Sequence, residues 1–313
     1  MNAFSRDEQT SWLFPGQGAH RVDMLDAFRK LPGFTDSCEQ VSEVLGFDVA
    51  TGLSRLEPNT LNANKTSSLL TILCSVLARQ GLEETPSVLA GYSVGQWTAL
   101  HVAGGLDFSS LLRVVVNRAE IMDCCFHSKK GAMLGVVGIK EVEIREVVEV
   151  LQNADHAIGI SNYNSLGQYS LAGSEEAISL AQDRLETLSV RKVVRLDVAG
   201  AWHSCMLQPA VEPFREFLET VELKSPNCTV IDNVTALPLP EESGLLKDQL
   251  AAHLAAPVQW HHSVKWLAEQ GIQKFLEVGY GDMLTKFGFF SARDSEHLAL
   301  YPSPRLARPT VVC

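Results

Sequence analysis

The sequence predicts an α/β chain in which a small strand-rich unit is set into a larger unit of strands and helices. Three observations carry this. A short apolar run ends in a Gly-containing turn and leads straight into helical periodicity over residues 87–103. The stretch 131–198 alternates strand and helix patterns in the order βαββαβ. Strand-like runs then resume at 228–234 and 274–281. Strands alternating with helices bury their apolar faces best as a sheet with helices packed on it.

Taken in order, "SWLF" (11–14) is the first strand, and it runs into the Gly/Pro turn "PGQGAH" (15–20). "TSSLLTILCSVLARQ" (66–80) has apolar residues at helical spacing and stops at Gly81. "SVLAG" (87–91), bounded by Pro86 and Gly91, reads as a buried parallel strand, and a helix follows over about 94–103. In the inserted unit, "AMLGVVGI" (132–139) is a strand and "KEVEIREVVEVLQ" (140–152) an amphipathic helix. "AIGISNYN" (157–164) and "QYSLAGS" (168–174) are strands about a turn at 165–167; a helix over 175–188 and a strand over 191–198 complete it. This order is that of a ferredoxin-like unit. The expected boundaries are 131–196 for the small subdomain, with 1–130 and 197–313 forming the large one. The tail from about 291 shows little periodicity and is expected to be a surface extension.

A chain of 313 residues, 46% hydrophobic and 20% charged, has enough apolar surface for a sizeable core. Its net charge of −11 argues against nucleic acid as the main partner. Seven cysteines without a CxxC spacing are expected to be reduced thiols, which points to the cytoplasm. The opening "MNAFSRDEQT" is polar and carries acidic residues, unlike a secretory signal, and no apolar run is long enough to span a membrane.

The chemistry centres on Gly91-Tyr92-Ser93-Val94-Gly95, a Gly-x-Ser-x-Gly match at a strand-to-helix turn. A strained turn of this kind projects a serine Oγ, and N–H groups at the helix start favour developing negative charge. The plainer reading is a small-residue turn with Ser93 as a helix cap. A serine nucleophile needs a base. His203 follows the last strand of the small unit at the junction, with His261 and His262 as competitors. "FPGQG" (14–18) is a second Gly-flanked turn at a strand end, where ligands bind in open α/β sheets. Its Gln17 has an amide able to donate and accept near a reacting oxygen. Arg118 sits on a mostly apolar helix, so it either reaches water, pairs structurally, or meets a carboxylate.

Together "LFPGQG", "GYSVGQ", "NRAEIM", "SNYNSLGQYSLAG", "WHSCMLQPA", "APVQW" and "FLEVGYG" resemble, in order, the motifs of malonyl-CoA:acyl carrier protein transacylases and of polyketide synthase acyltransferase domains. The resemblance covers about residues 12–290. It implies an α/β-hydrolase-like large subdomain with an inserted ferredoxin-like subdomain. It also implies Ser93 as nucleophile, His203 as base, and an oxyanion hole from the N–H groups of Gln17 and Val94. Arg118 would grip the acyl carboxylate, and Gln259 would orient His203 through a main-chain carbonyl. Trp202, Asn162 and Asn164 would complete the substrate site. The implied reaction is ping-pong transfer of malonyl from CoA to the phosphopantetheine thiol of an acyl carrier protein. No metal or permanently bound cofactor is implied, nor nucleic acid or membrane, and a monomer is expected.

The family's usual His before the nucleophile is Tyr92 here, and the Glu after the second glycine is Gln96. "EVGPG" becomes "EVGYG", and "NSPGQ" becomes "NSLGQ". Trp202 is bulky, where a bulky Phe accompanies malonyl choice in polyketide acyltransferases. These departures suggest a stand-alone enzyme of polyketide or other specialised biosynthesis. The alternatives are an acyl hydrolase or a carrier-to-carrier transacylase of the same fold, and a non-catalytic carrier-docking scaffold. A docking patch for an acidic carrier is expected at Arg184, Arg191, Lys192 and Arg195, with Lys129 and Lys130 nearby.

Overall fold

The computed structural model describes residues 9–83 and 86–303. In chain order the strands are β1 (Thr10–Phe14), β2 (Val88–Gly91), β3 (Gly131–Val137), β4 (Ile158–Ser165), β5 (Gln168–Ser174), β6 (Lys192–Arg195), β7 (Thr229–Ile231), β8 (Lys274–Tyr280) and β9 (Glu296–Tyr301). The helices are α1 (Phe34–Leu45), α2 (Val49–Gly52), α3 (Pro58–Asn62), α4 (Asn64–Gln80), α5 (Gly95–Val102), α6 (Phe108–Cys124), α7 (Glu141–Gln152), α8 (Glu175–Glu186), α9 (Gln208–Glu219), α10 (Ser243–Ala252), α11 (Trp260–Glu269) and α12 (Met283–Ser291).

A five-stranded sheet in the order β7-β2-β1-β8-β9 is parallel throughout. Its strands are short apolar runs because helices cover both faces. Phe14 lies opposite Gly91 in the β1–β2 register, so both Gly-flanked turns leave the sheet side by side. The predicted helix over 66–80 is α4, whose residues from Leu69 to Ala78 are all buried.

The second sheet is antiparallel, in the order β4-β5-β3-β6, which is the expected βαββαβ arrangement. Helices α7 and α8 supply Ile144, Val147, Ile178 and Ala181 to a core of their own with Leu134, Val136 and Leu171. The outer edge of β4 joins the larger unit. Val258 N–H donates to the Ser161 carbonyl at 2.8 Å, and Tyr163 N–H donates to the Val258 carbonyl at 2.9 Å. The chain leaves and re-enters the larger unit through a narrow neck. A Cβ on Gly131 would lie 2.6 Å from Ala201 N, and one on Gly200 would lie 2.6 Å from the Phe126 ring. Only glycine lets the two crossing segments approach so closely.

Two expectations change. The strand expected over 191–198 is only Lys192–Arg195, because the chain turns back toward the neck after one side of β6 is paired. The tail is not all surface extension: Glu296–Tyr301 forms β9, pairing in parallel with β8. As an edge strand it buries little beyond His297, so its sequence carries a weak apolar pattern. Residues 304–313, and the polar opening at 1–8, lie outside the described residues. Among the described residues the six cysteines are free, and no helix is long and apolar enough to cross a membrane.

Candidate active site

The turn between β2 and α5 holds Ser93 at φ +53°, a left-handed conformation that a non-glycine residue adopts at a cost of about 1 kcal/mol or more. Its surroundings enforce it. A Cβ on Gly91 would lie 2.1 Å from the Gly95 carbonyl carbon, and one on Gly95 would lie 2.2 Å from the Phe14 carbonyl oxygen. The flanking glycines are therefore small because the arms of the turn touch each other and the end of β1. Asn233, just past β7, clamps the turn from below. Its Nδ2 donates to the Gly91 carbonyl at 2.5 Å, and its Oδ1 accepts from Ser93 N–H at 2.7 Å. Gln96 in turn fixes Asn233, its Oε1 accepting from Asn233 N–H at 2.7 Å.

His203 meets this turn from the returning end of the insertion. Its Nε2 lies 2.8 Å from Ser93 Oγ, and its own φ is +56°. Nδ1 lies 2.9 Å from the main-chain carbonyl of His253. A carbonyl can only accept, so Nδ1 carries the proton and Nε2 presents its lone pair to the serine hydroxyl. His203 is 4% exposed. Burial first, and then the nearby Arg118 cation, push its pKa down to about 3 from an ordinary 6.5, against the opposing His253 carbonyl. The ring is held neutral and ready to accept a proton.

The expectation for Gln259 is corrected here. The carbonyl that reaches His203 belongs to His253, six residues earlier. Gln259 N–H donates to the Asn233 carbonyl at 2.7 Å, and its own carbonyl accepts from Ser263 N–H at 2.9 Å, closing the first turn of α11. Its side-chain Oε1 lies 2.8 Å from His262 Nδ1. The competitors His261 and His262 are likewise committed elsewhere, to Ser291 Oγ and to Gln259.

Arg118, on α6, is 1% exposed, and its Nη2 donates toward Ser93 Oγ at 3.4 Å. Among the described residues no carboxylate pairs with it, and its Nε has no hydrogen-bond partner. Burial lowers its pKa only to about 10, so it stays charged at neutral pH. A buried guanidinium without a counter-ion is costly to maintain.

The "FPGQG" turn packs directly on this assembly, since a Cβ on Gly16 would lie 2.7 Å from the Tyr92 carbonyl and 3.5 Å from Ser93 Cβ. The Gln17 side-chain amide is occupied: its Nε2 donates to Ser67 Oγ at 2.7 Å and to Asn64 Oδ1 at 3.1 Å. That leaves its backbone N–H, which, like that of Val94, has no acceptor among the described residues. Trp202 packs edge-on against Phe126 with centroids 5.3 Å apart. Asn164 Oδ1 accepts from the Tyr92 hydroxyl at 2.6 Å, whereas Asn162 Oδ1 accepts from Ser161 Oγ at 2.7 Å. Beside His203 a groove of about 300 Å³ runs between the two units, bordered by Arg145, Tyr163, Cys205 and Pro257. Of the basic side chains expected to meet a carrier, all are exposed, and Arg195 also pairs with Glu175 at 3.0 Å.

Sequence reasoning missed Asn233 and His253. Asn233 was discoverable, because it ends a strand neighbouring β2 and side chains at such ends face the site. His253 acts through a carbonyl, which any residue supplies, so no residue type marks it.

The family model described as acyl transferase domain matches residues 11–289. The malonyl CoA-acyl carrier protein transacylase of Bacillus subtilis is 29% identical over 285 residues, 88% of each chain. The crystal structure of malonyl-CoA:acyl carrier protein transacylase from Xanthomonas oryzae superposes with a TM-score of 0.88 at 27% identity, over 95% of both chains. A type II polyketide acyl carrier protein in complex with its malonyl-transacylase gives 0.86 at 26% identity, over 93% of this chain and 94% of that one.

Proposed function

Since the chain belongs to the acyl transferase domain family, we propose that it transfers a malonyl group from CoA, through an ester on Ser93, to the phosphopantetheine thiol of an acyl carrier protein. His203 Nε2 takes the proton as Ser93 Oγ attacks the thioester carbonyl, and the Nδ1–H bond to the His253 carbonyl steadies the imidazolium that forms. The N–H groups of Val94 and Gln17 receive the oxyanion; losing one such donor typically costs about 10²–10³ in rate. CoA departs as thiol, taking the proton from His203. The carrier thiol then repeats the sequence in reverse, and Ser93 is regenerated.

The observation that carries the malonyl assignment is Arg118, a buried cation 3.4 Å from Ser93 Oγ with no carboxylate partner among the described residues. A malonyl carboxylate supplies that partner in bidentate geometry. It also offsets the repulsion that Arg118 exerts on a protonated His203, so the correct substrate strengthens the base that deprotonates Ser93. A neutral acyl chain does neither. Trp202, next to His203 in sequence and packed on Phe126, is assigned to bound the acyl group, with Asn162 and Asn164 as support from the small unit. The exposed Arg191 and Lys192 on the β6 edge offer an acidic carrier a docking face, so reversing both charges is expected to slow transfer and spare loading from CoA.

Intact mass after incubation with malonyl-CoA tests the reading. A malonyl adduct on Ser93, absent in Ser93→Ala and discharged onto a holo carrier protein, is the expected result. Release of free malonate faster than transfer to any carrier would favour a hydrolase instead.

A further inference from the structure

The strand β4 is fastened to both halves of the candidate site. On one side the Tyr92 hydroxyl, next to the serine, donates to Asn164 Oδ1 at 2.6 Å, and Asn164 Nδ2 donates to Ser170 Oγ at 3.1 Å. On the other side Ser161, Asn162 and Tyr163 pair with Val258, five residues beyond the carbonyl that holds His203. From Val258 the path returns to the serine: Gln259 N–H bonds the Asn233 carbonyl, and Asn233 Oδ1 bonds Ser93 N–H. These bonds form a closed circuit from the nucleophile turn through β4 to the segment behind the base.

Tyr92 is built for this place. It is 8% exposed, meets Trp260 edge-on with centroids 5.6 Å apart, and leans on Phe287 at 6.1 Å. The rings fix where its hydroxyl points, so the bond to Asn164 costs little additional ordering. Asn164, whose Oδ1 has no other protein donor among the described residues, is left unsatisfied if that hydroxyl goes.

We propose that Tyr92 is a positioning residue. Its hydroxyl, bound to Asn164, locks the nucleophile turn to the small unit and so sets the separation of Ser93 and His203. This rests on the reading of those two as the reacting pair. It does not rest on the identity of the acyl group.

The test uses the full-length protein and two reporters. A fluorophosphonate probe labels an activated serine whatever the natural acyl group, and single-turnover loading from malonyl-CoA reports the assigned reaction. Tyr92→Phe keeps the ring contacts and removes only the hydroxyl. Labelling is expected to slow about tenfold, with any KM for malonyl-CoA within about twofold and the melting temperature within a few degrees. Asn164→Leu, which also gives up the bond to Ser170 Oγ, should slow labelling at least as much, and the double variant should be no slower than Asn164→Leu alone, because the Tyr92–Asn164 bond is already absent there. Unchanged labelling in Tyr92→Phe overturns the proposal, as do single effects that multiply in the double variant. Labelling decides the matter whether or not the wild type loads malonyl, so failure of the malonyl assignment is read separately.

Discussion

The imidazoles of His203 and His253 lie stacked, with centroids 4.7 Å apart and planes 26° from parallel, while the His253 carbonyl accepts from His203 Nδ1. One residue thus holds the proposed base with its main chain and covers its face with its side chain. His253 is 1% exposed, and its Nε2 has no protein partner among the described residues.

Substituting His253 by Gln separates these roles, since the carbonyl remains. Burial holds both imidazoles neutral, with His203 down to about 3 and His253 well below 6.5. The unfolded chain therefore binds protons below about pH 6.5 that the folded chain refuses, and stability rises with pH across that window. His253→Gln removes one such group. Urea unfolding between pH 4.5 and 6 should show a shallower dependence, by up to about one proton, or about 1.4 kcal/mol per pH unit. An unchanged slope would mean that His253 is not held neutral.

The same depressed basicity fixes the rate profile. His203 must be neutral to accept the serine proton, and it is neutral far below pH 6. Single-turnover acylation of Ser93 should stay flat from about pH 8 to about pH 5.5. A fall centred near pH 6.5 would show an ordinary, solvated imidazole.

Arg118→Gln removes the buried cation and keeps an amide in the space. Malonyl loading should fall by about 10²-fold, the usual consequence of losing a charged, desolvated partner. Fluorophosphonate labelling of Ser93 should remain within a few-fold, because Arg118 is not the base. Equal loss of both would mean that the guanidinium supports the turn and does not read the acyl group.

Asn233→Ala withdraws two bonds from the serine turn, those to Gly91 and Ser93. Leaving both groups buried and unpaired should cost about 2–4 kcal/mol of stability, measured by denaturant unfolding, and slow Ser93 labelling at a temperature where the variant is folded. Full stability would show that the left-handed serine is held by glycine contacts alone.

The parts of this fold that sequence made legible are those whose physics is local. Gly91 and Gly95 are small because the turn touches itself and β1, and their spacing about Ser93 announces that. The inserted unit alternates its periodicities clearly enough to place every strand and helix, although β6 is shorter than its apolar pattern. Arg118 stood out as a charge in an apolar helix. Illegible were the contacts that rely on main chain or on distant pairing. Any residue could offer the carbonyl that His253 supplies, so no residue type marks it, and the resemblance implied Gln259 instead. Edge strand β9 needs only one buried face, so its pattern is faint. Asn233 lies 140 residues from the serine N–H it receives, a separation that local spacing cannot reveal.

The neck at Gly131 and Gly200 lies between two residues of the candidate site. Helix α6, with Arg118, is the last element before the excursion, and His203 arrives just after it. The residue proposed to read the acyl group and the proposed proton acceptor thus flank the insertion in the chain, while the serine turn leaves the parallel sheet. A side chain at either glycine would force the two crossing segments apart, and with them the ends that lead to Arg118 and to His203.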